Sequence, residues 1–594
     1  ILYDLVIRQN CAADIHKPYL LLERTHTDTG TLPNFRQGDA IVLYERNISE
    51  DNVTNKMVFK GNIETISDSD IRVRLRAAQQ NVEVLPMNSR YAIEHDYMDT
   101  SFRCMYWGLS AFLSATKDRR DLLLNRREPE FDSAFNGAIA AADNDFVRIT
   151  LKAQAAKDYF LLIGPPGTGK TSRALRSMVE TFYREGKEIL LLSYTNRAVD
   201  EICKMLTAIT PEVDFIRIGS ELSCDEVYRP HLIENMLESC STRREVQERM
   251  ACCRIFVGTV ATLSAKTELF RLKTFDVALI DEATQILEPQ LLGLLCMRSV
   301  AGGNAIGKFV LIGDHKQLPA VVLQSSEQSE VQDESLRAIG LCNLKDSLFE
   351  RLYRNAIKQP LACGEETSTF NSQLSAFNSF DILCRQGRMN VEVAAFPNHA
   401  FYGGLLQPVG LEHQTGTIEL SPELSTNEFA ALLTRRVAFI PSTPEQPMQS
   451  AKINHSEAKI VARLAAAVYR QYIFATGCFN AASTLGIITP YRSQIALIKK
   501  EIADLGIKEL NDVLIDTVER FQGSERDVII YSFCVNRVSQ LKLLANLTEE
   551  NGVQIDRKLN VALTRARKQM FITGVPQLLK QNSIYSRLLQ SCES

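Results

Sequence analysis

The feature that most constrains how this chain can fold is a glycine-rich segment, residues 164–171, with the sequence Gly-Pro-Pro-Gly-Thr-Gly-Lys-Thr. It fits the pattern G-x-x-x-x-G-K-[ST], in which glycines let backbone N–H groups approach phosphate oxygens closely. An apolar run at 159–163 precedes it, and a helix-compatible stretch follows as far as Tyr183. This order predicts a phosphate-binding loop at the edge of an α/β sheet and disfavours a chance glycine turn. The residues expected to contact the nucleotide are Gly164, Pro165, Pro166, Gly167, Thr168, Gly169, Lys170 and Thr171.

A second block supplies the acidic groups that such a loop needs. Residues 281–284 read Asp-Glu-Ala-Thr and close another apolar strand. Carboxylates at the carboxyl end of a parallel strand lie where α/β sheets bind ligands. We expect Lys170 to reach the β- and γ-phosphates, and Thr171 and Asp281 to hold Mg²⁺. We expect Glu282 to orient the attacking water. Alone the block would indicate a solvated strand end, but with the loop it predicts hydrolysis of a nucleoside triphosphate.

Length and composition place the chain among large globular proteins. Its 594 residues are too many for one core and predict about three to five domains. No long apolar stretch lacks charges, so no membrane span is expected. The 14 cysteines include no C-x-x-C pair, which is typical of reduced thiols in a cytosolic protein rather than a disulfide or zinc framework. The chain begins at Ile1 without a signal-peptide pattern, so we expect further domains upstream.

Hydrophobic patterning divides the chain into segments. The first alternates like short strands and predicts a small β-barrel; the second has apolar side chains mostly three and four residues apart and predicts a helical stalk whose stripe forms core. Two longer segments alternate strands with helices, which predicts parallel sheets covered on both faces. The predicted boundaries are 1–92 for the barrel, 93–140 for the stalk, 141–358 for the first α/β domain with a helical insertion at about 220–253, 359–380 for a linker and 381–594 for the second α/β domain.

One strand of the predicted barrel carries a row of positive charge. Residues 70–76 alternate apolar side chains with Arg72, Arg74 and Arg76. Such a face could contact a phosphate backbone, although a solvated face is the favoured interpretation. The net charge of −4 does not decide between them, because a local basic groove can exist on a mildly acidic protein.

Five further blocks give the nucleotide loop a specific context. In chain order they are 311–319 (Leu-Ile-Gly-Asp-His-Lys-Gln-Leu-Pro), 386–390 (Gln-Gly-Arg-Met-Asn), 489–494 (Thr-Pro-Tyr-Arg-Ser-Gln), 521–527 (Phe-Gln-Gly-Ser-Glu-Arg-Asp) and 560–567 (Asn-Val-Ala-Leu-Thr-Arg-Ala-Arg). In order and wording the blocks resemble the superfamily 1 helicases, in the 5′→3′ branch that includes the RNA-decay helicase and the Okazaki-fragment helicase–nuclease. The resemblance implies two RecA-like domains behind a barrel and stalk, and ATP-driven movement along a single strand.

The resemblance also implies roles for individual residues. Further nucleotide contacts are expected from Gln317, Gln386, Arg388, Gly523, Glu525 and Arg565. Arg388 and Arg565 would be arginine fingers that reach the γ-phosphate from the second domain, so that hydrolysis requires a closed cleft. Gln317 would sense the γ-phosphate and Glu525 would hold the ribose. For Arg565 the alternative is an ordinary salt bridge.

Strand contacts are implied on both α/β domains. The residues expected to touch backbone phosphates of a single strand are Thr195, Asn196, Thr259, Thr489 and Pro490. For each threonine, a helix cap or an ordinary strand-end residue is the competing interpretation.

Two departures from the family pattern concern the nucleotide base. The glutamine that usually reads adenine, about seventeen residues before the loop, is replaced by Val147, and Gln154 is the nearest glutamine. The aromatic residue expected between Gln386 and Arg388 is Gly387. Both changes remove base contacts and keep phosphate contacts. The hypothesis is that discrimination among ATP, GTP and CTP is weakened.

The preferred interpretation is an ATP- and Mg²⁺-dependent translocase on single-stranded nucleic acid, with DNA favoured over RNA. An ATP-gated clamp without processive unwinding is the first alternative, and a small-molecule kinase is the second. The later blocks have no role in such a kinase. We expect a monomeric core in the cytoplasm, nucleoid or nucleus, without membrane attachment, and any nuclease domain or partner upstream of Ile1.

Overall fold

The computed structural model describes residues 1–25, 35, 37–67, 69–96, 100–238, 240–322, 324–358, 379–445, 450–550 and 552–593. The chain divides into two compact units, one of residues 1–100 with 220–223 and one of the remainder. Most of the predicted linker at 359–380 lies outside the described residues. In the described parts of the chain, every helix is too short or too polar to cross a membrane.

The first unit contains a closed barrel of six antiparallel strands in the order β1-β2-β5-β4-β3-β6. The strands are β1 (Leu2–Cys11), β2 (Tyr19–Arg24), β3 (Ala40–Glu45), β4 (Val58–Ile66), β5 (Asp70–Leu75) and β6 (Arg90–His95). Along β5, Ile71, Val73 and Leu75 are buried and the residues between them are half-buried, the period of two that a barrel wall requires. The barrel closes with β6, so the predicted boundary at 92 falls inside this strand.

The arginines of the barrel are neutralised by neighbouring acids. Arg72 and Arg74 both form ion pairs with Glu64 on β4, and Arg76 lies 3.4 Å from a carboxylate oxygen of Asp96. Because these charges are already paired, the contacts favour the solvated-face interpretation over a phosphate track.

Helix α1 (Thr100–Ser114) packs through a different face from the one expected. A Cβ on Gly108 would lie 1.9 Å from the carbonyl oxygen of Pro289, so only glycine allows this close approach. The expectation that the apolar stripe forms core was wrong for four of its members, which are 44–73% exposed: Phe102, Tyr106, Leu109 and Leu113. Helices α2 (Lys117–Leu123) and α3 (Asn136–Ala140) complete the segment.

The first α/β domain is built on a seven-stranded parallel sheet in the order β13-β7-β12-β11-β8-β10-β9. Its strands are β7 (Tyr159–Ile163), β8 (Ile189–Ser193), β9 (Phe215–Ile218), β10 (Ile255–Thr259), β11 (Phe275–Ile280), β12 (Ile306–Gly313) and β13 (Phe380–Ile382). Apolar clusters cover both faces, which explains why the strands are nearly continuous hydrophobic runs. Strand β13 pairs with β7, so the change of sheet falls after Ile382 and not at the predicted 381.

Helices surround this sheet. They are α4 (Asp145–Ala155), α5 (Arg176–Arg184), α6 (Asn196–Thr207), α7 (Ile233–Leu237), α8 (Arg243–Cys252), α9 (Val260–Ala265), α10 (Leu269–Leu272), α11 (Glu288–Leu295), α12 (Glu334–Ala338) and α13 (Leu348–Lys358). The predicted insertion at 220–253 contains α7 and α8.

The second α/β domain has a five-stranded parallel sheet in the order β16-β22-β19-β17-β18 and two small strand pairs, β14-β15 and β20-β21. Its strands are β14 (Arg385–Gln386), β15 (Gln407–Pro408), β16 (Val437–Pro441), β17 (Leu485–Ile488), β18 (Leu514–Asp516), β19 (Arg526–Ser532), β20 (Leu547–Glu550), β21 (Val553–Asp556) and β22 (Ala566–Gly574). Its helices are α14 (Val391–Tyr402), α15 (Glu412–Thr415), α16 (Ala430–Leu433), α17 (His455–Thr476), α18 (Arg492–Ala503), α19 (Val518–Phe521), α20 (Ser539–Leu544), α21 (Arg557–Leu563), α22 (Pro576–Leu579) and α23 (Ser583–Glu593). The predicted fold class, two RecA-like parallel-sheet domains with an N-terminal barrel and a helical stalk, is confirmed.

Candidate nucleotide-binding and hydrolysis site

The glycine-rich loop leaves the buried strand β7 with backbone angles that favour glycine. Gly167 and Gly169 have φ values of +74° and +81°, in the left-handed region. A Cβ on Gly164 would lie 2.0 Å from Cγ of Lys170, so the lysine side chain folds back across the loop. The chain then enters a π-helical turn, Lys170–Leu175, and continues into α5. The strand–loop–helix order is the arrangement that phosphate binding uses.

The acidic block follows β11 and faces the loop. The Thr171 hydroxyl donates a hydrogen bond to Oδ2 of Asp281 at 2.6 Å. Burial, and then the charge of Glu282, raise the pKa of Asp281 to about 6, although Lys170 acts in the opposite direction. Glu282 has φ of +55°, which is uncommon for a residue with a side chain, and its carboxylate accepts a hydrogen bond from Gln285 at 2.8 Å. A hydroxyl and a buried carboxylate this close form the oxygen-rich donor set that Mg²⁺ prefers.

Gln317 joins the two α/β domains inside the cleft. Its Nε2 donates to Oδ2 of Asp314 at 2.8 Å, and its Oε1 accepts from Nη2 of Arg565 at 3.0 Å. Asp314 and Gln317 follow β12 of the first sheet, whereas Arg565 follows α21 of the second domain. The structure therefore brings together two residues that the sequence predicted to act on the same phosphate.

Arg565 is a buried cation held by neutral groups. Its side chain is 2% exposed, and its Nε donates to the carbonyl oxygen of Val561 at 3.0 Å. Burial, and then the nearby guanidinium of Arg388, lower the pKa of Arg565 from its ordinary value. Among the residues that the structure describes, Arg565 has no ion-pair partner within 4.0 Å. The salt bridge considered as the alternative role for Arg565 is therefore not found among these residues. A buried unpaired guanidinium is costly, and a bound anion would relieve that cost.

Arg388 lies directly against the phosphate loop. The backbone N–H of Gly387 donates to the carbonyl oxygen of Gly167 at 2.9 Å, and a Cβ on Gly167 would lie 2.5 Å from Cβ of Arg388. Nε of Arg388 donates to Oε2 of Glu525 at 2.5 Å. Although burial opposes it, the Arg388 charge lowers the pKa of Glu525. In this conformation Arg388 is therefore paired with the carboxylate predicted to hold the ribose.

Gln386 and Gly523 contribute loop structure. Gln386 is buried, its Oε1 accepts from the backbone N–H groups of Arg388 and Met389, and its Nε2 donates to the Met389 carbonyl oxygen. Gly523 has φ of +76°, and a Cβ there would meet no atom within 4 Å, so backbone angle alone favours glycine. Both residues shape loops beside the cleft, and direct nucleotide contact remains a prediction for them.

The predicted strand contacts differ in accessibility. Thr195 is exposed and caps α6 by accepting from the N–H of Ala198 at 3.2 Å, and Asn196 is the exposed first residue of that helix. Thr259 caps α9 in the same way and is 5% exposed. Thr489 is fully buried, and Pro490 after it is half-buried. Helix capping therefore describes two of the threonines, and only the α6 pair is open to a strand in this conformation.

On α4, Phe146 and not Val147 packs against the elements that follow the phosphate loop. Val147 is 44% exposed, whereas Phe146 packs on the cluster around α5 and has the guanidinium of Arg173 over its ring, 5.7 Å from the centroid. Gln154 bonds to Glu185 at the amino-terminal edge of the sheet, opposite the loop. Gln154 is therefore not placed to read a base, and the base contact assigned to position 147 remains a prediction that its packed neighbour Phe146 shares.

Sequence reasoning missed two residues of the cleft, Tyr402 and Asn560. Both are buried and bond to the segment 314–316 of the first domain. Tyr402 has no motif position to mark it, because a tyrosine inside a helix normally indicates core. Asn560 opens the last block, 560–567, and that position was the available signal.

Known protein families match both α/β domains. Two families described as AAA domain cover residues 141–253 and 241–325 in one case and 344–577 in the other. These segments contain the loop, the acidic block and the cross-cleft residues just described. The chain belongs to the superfamily 1 helicases.

Individual relatives agree with this assignment. The superfamily 1 chain is 29% identical to the DNA replication ATP-dependent helicase/nuclease JHS1 of Arabidopsis thaliana, over 93% of this chain and 38% of that protein. It is 28% identical to the DNA2 helicase/nuclease of Bos taurus, over 92% and 49%. It is 24% identical to the DNA polymerase alpha-associated DNA helicase A of Saccharomyces cerevisiae, over 94% and 83%. The chain thus spans less than half the length of the first two. A crystal structure of an Arterivirus nonstructural protein 10 helicase is far more distant, with a TM-score of 0.35 and 13% identity over 95% of this chain and 78% of that one.

Proposed function

We propose that this superfamily 1 chain is an ATP-dependent helicase core that moves along single-stranded DNA. The observation that carries the proposal is the contact between Gln317 and Arg565, 3.0 Å long, which joins the hydrolytic edge of one sheet to a buried cation of the other domain. Such a site is complete only when the cleft is shut, so opening and closing would accompany each hydrolysis.

The residues divide the work of hydrolysis between them. Lys170 binds the β- and γ-phosphates, and Glu282, pinned by Gln285, orients the attacking water. Arg565, oriented by its bond to Gln317, donates a further N–H to the γ-phosphate, where it neutralises charge that builds up in the transition state. Arg388 exchanges its bond to Glu525 for one to the γ-phosphate. Once the γ-phosphate has been released, Arg388 and Arg565 no longer have an anion to bind in the cleft, so the two domains separate more easily.

Thr171 and Asp281 are the residues that would hold Mg²⁺, since their oxygens lie 2.6 Å apart at the phosphate loop. When bound, the ion would supply positive charge beside the phosphate oxygens. The proposal therefore includes Mg²⁺-ATP as the substrate form.

DNA is favoured as the track because two of the relatives described above are named DNA replication helicase/nucleases and the third is named a DNA helicase. Thr195 and Asn196 are the proposed contacts on the first domain, and Thr259, Thr489 and Pro490 would join them after a movement that exposes them. Movement in the 5′→3′ direction belongs to the proposal through the family. Because two relatives are named helicase/nuclease and are longer, the proposal includes a nuclease domain or partner outside these residues. The proposed core is monomeric.

Phosphate release from ATP tests the proposal directly. The wild-type chain is compared with Glu282→Gln at low salt, alone and with equal amounts of single-stranded DNA or RNA. Strong stimulation by DNA that disappears in Glu282→Gln is the expected result. Greater stimulation by RNA would assign the track to RNA, and no release under any condition would refute an ATP-driven motor.

An ATP-gated clamp is the second candidate, favoured by the 2.9 Å backbone bond from Gly387 of the second domain to Gly167 of the phosphate loop, which holds the cleft shut. It predicts strong ATP-dependent binding to a strand with little hydrolysis. Duplex unwinding measured beside strand binding separates the two candidates, because a clamp binds without unwinding.

A further inference from the structure

A buried chain of hydrogen bonds crosses the cleft next to Gln317. The hydroxyl of Tyr402 on α14 donates to Oδ2 of Asp314 at 2.7 Å. Nδ2 of Asn560 donates to the Tyr402 hydroxyl oxygen at 2.8 Å and to the carbonyl oxygen of Lys316 at 2.7 Å. Asp314, Tyr402 and Asn560 are at most 3% exposed. Tyr402 and Asn560 of the second domain, as well as Arg565, thus form hydrogen bonds to the segment 314–317.

The chemistry of the partners determines the direction of each bond. A guanidinium only donates and an ionised carboxylate only accepts, so Gln317 must turn Oε1 to Arg565 and Nε2 to Asp314. The amide nitrogen of Asn560 only donates, so the single hydroxyl proton of Tyr402 goes to Asp314. The Gln317 amide is therefore held in one orientation, with a positive group at one end and a negative group at the other.

We propose that Tyr402 and Asn560 are positioning residues for ATP hydrolysis, which act through Asp314 and Gln317. The inference rests on the proposed function. Both residues belong to the second domain, so their bonds to the first domain exist only in a closed cleft. Closure then fixes Asp314, Asp314 fixes the Gln317 amide, and the amide presents its oxygen to Arg565 beside the γ-phosphate. Hydrogen bonds in a buried, low-dielectric site are strong, which makes this arrangement sensitive to loss of one hydroxyl.

Tyr402→Phe tests the inference because it removes the hydroxyl and keeps the ring. We expect kcat for strand-stimulated ATP hydrolysis to fall about 10- to 150-fold, the loss of one buried hydrogen bond to a charged group, while KM for ATP changes less than about twofold. An orientation defect lowers kcat, whereas a general loss of nucleotide binding would raise KM.

Tyr585→Phe is the matched control. Tyr585 lies in the same domain, is 1% exposed and donates to the buried carboxylate of Asp556 at 2.9 Å, away from the nucleotide loop. Both variants should lose similar thermal stability, because each loses a buried tyrosine–aspartate bond. Only Tyr402→Phe should lose kcat, and an equal loss in Tyr585→Phe would overturn the inference.

A double variant tests the route through Gln317. If Tyr402 acts through this amide, Gln317→Ala with Tyr402→Phe hydrolyses ATP within about twofold of Gln317→Ala alone. Independent, multiplied losses would refute that route. Wild-type activity with an unchanged Tyr402→Phe variant would overturn only this inference, whereas an inactive wild type would overturn the proposed function beneath it.

Discussion

The two parallel sheets end in different ways at their carboxyl edges. In the first, β7 leads through residues 164–169 to a helical turn whose donors face the cleft. In the second, helix α17 begins beside the ends of β16 and β19, and Glu457 in its first turn fills that edge. The Glu457 carboxylate accepts hydrogen bonds from the Ser532 hydroxyl at 2.6 Å and the Cys534 backbone N–H at 2.8 Å.

The difference shows why one sheet can hold a phosphate and the other cannot. Strand ends and a helix N-terminus offer donors that attract an anion in either domain. The second domain satisfies its strand-end donors with the Glu457 carboxylate and caps its helix with Asn454, whereas the first leaves room through glycines. The second domain instead contributes Arg388 and Arg565 across the cleft, so similar sheets perform unequal parts of one reaction.

The largest expected effect comes from the second domain's buried cation. Arg565→Ala should lower kcat for ATP hydrolysis about 10³-fold or more, because transition-state charge loses its partner. Lys568→Ala is the control, since the Lys568 side chain is 34% exposed and its Nζ lies 2.9 Å from Asp527. Single-turnover phosphate release measures both. A comparable loss in the two variants would break the assignment of the finger to Arg565.

The buried Glu457 at the carboxyl edge of the second sheet should make the stability of the protein depend on pH. Burial raises the pKa of Glu457 from 4.5 to about 7. Between these values the folded chain keeps a proton that the unfolded chain has lost, so the free energy of unfolding falls as pH rises, by about 3 kcal/mol. Urea unfolding at about pH 5 and about pH 8 measures the change, and Glu457→Gln should remove it.

Glu350 gives that experiment an opposite control. It is also buried, and although burial acts to raise its pKa, the Arg557 guanidinium lowers that pKa below its ordinary value. Its contribution to stability is therefore lost as pH falls below the ordinary glutamate value, and Glu350→Gln should leave the change between about pH 5 and about pH 8 intact. If the stability of Glu457→Gln depended on pH as strongly as that of the wild type, protonation of Glu457 would not be the cause of the change. Glu457→Gln should leave kcat unchanged if the carboxyl edge of the second sheet has no catalytic part.

A smaller effect is expected at a second contact across the cleft. Glu550 on the β20-β21 hairpin lies 3.2 Å from Nε2 of His315 and 3.0 Å from Nζ of Lys316. Despite burial, His315 and Lys316 together lower the pKa of Glu550 to about 2. Glu550→Gln should reduce strand-stimulated kcat about 3- to 10-fold, and wild-type activity should be the more salt-sensitive of the two. The exposed neighbour Glu549→Gln should have no effect, and equal losses would argue against a specific contact.

The smallest effect concerns selectivity for the nucleotide base, which we expect to lie in the cleft between the two α/β domains. Phe146 and Gly387 offer no side-chain hydrogen bond to a base edge, so kcat/KM for ATP, GTP and CTP should agree within about tenfold. Phe146→Gln should raise the preference for ATP a few-fold, whereas Val147→Gln, on the solvent side of α4, should not. Strict use of ATP by the wild type would refute weakened base discrimination.

Local elements were predictable because their signals are local. Buried parallel strands such as β7 and β11 are continuous apolar runs, and glycines with a following lysine mark the phosphate loop in eight residues. The helical stripe of α1 shows the limit of this reasoning. Periodicity identifies a helix but not the face that packs. Phe102 and Tyr106 are exposed because Trp107 and Gly108 are the residues of α1 that pack against α11.

The amino-acid sequence by itself determined the two α/β domains, the nucleotide loop, the acidic block and membership in a helicase family, since each rests on residue types at short fixed spacings. Only the tertiary structure decided which side chains meet across the cleft. Tyr402 and Asp314 are 88 positions apart, and Glu550 and His315 are 235 apart, so no local pattern links them. Their contacts depend on how two separately folded sheets come together, which is a property of packing.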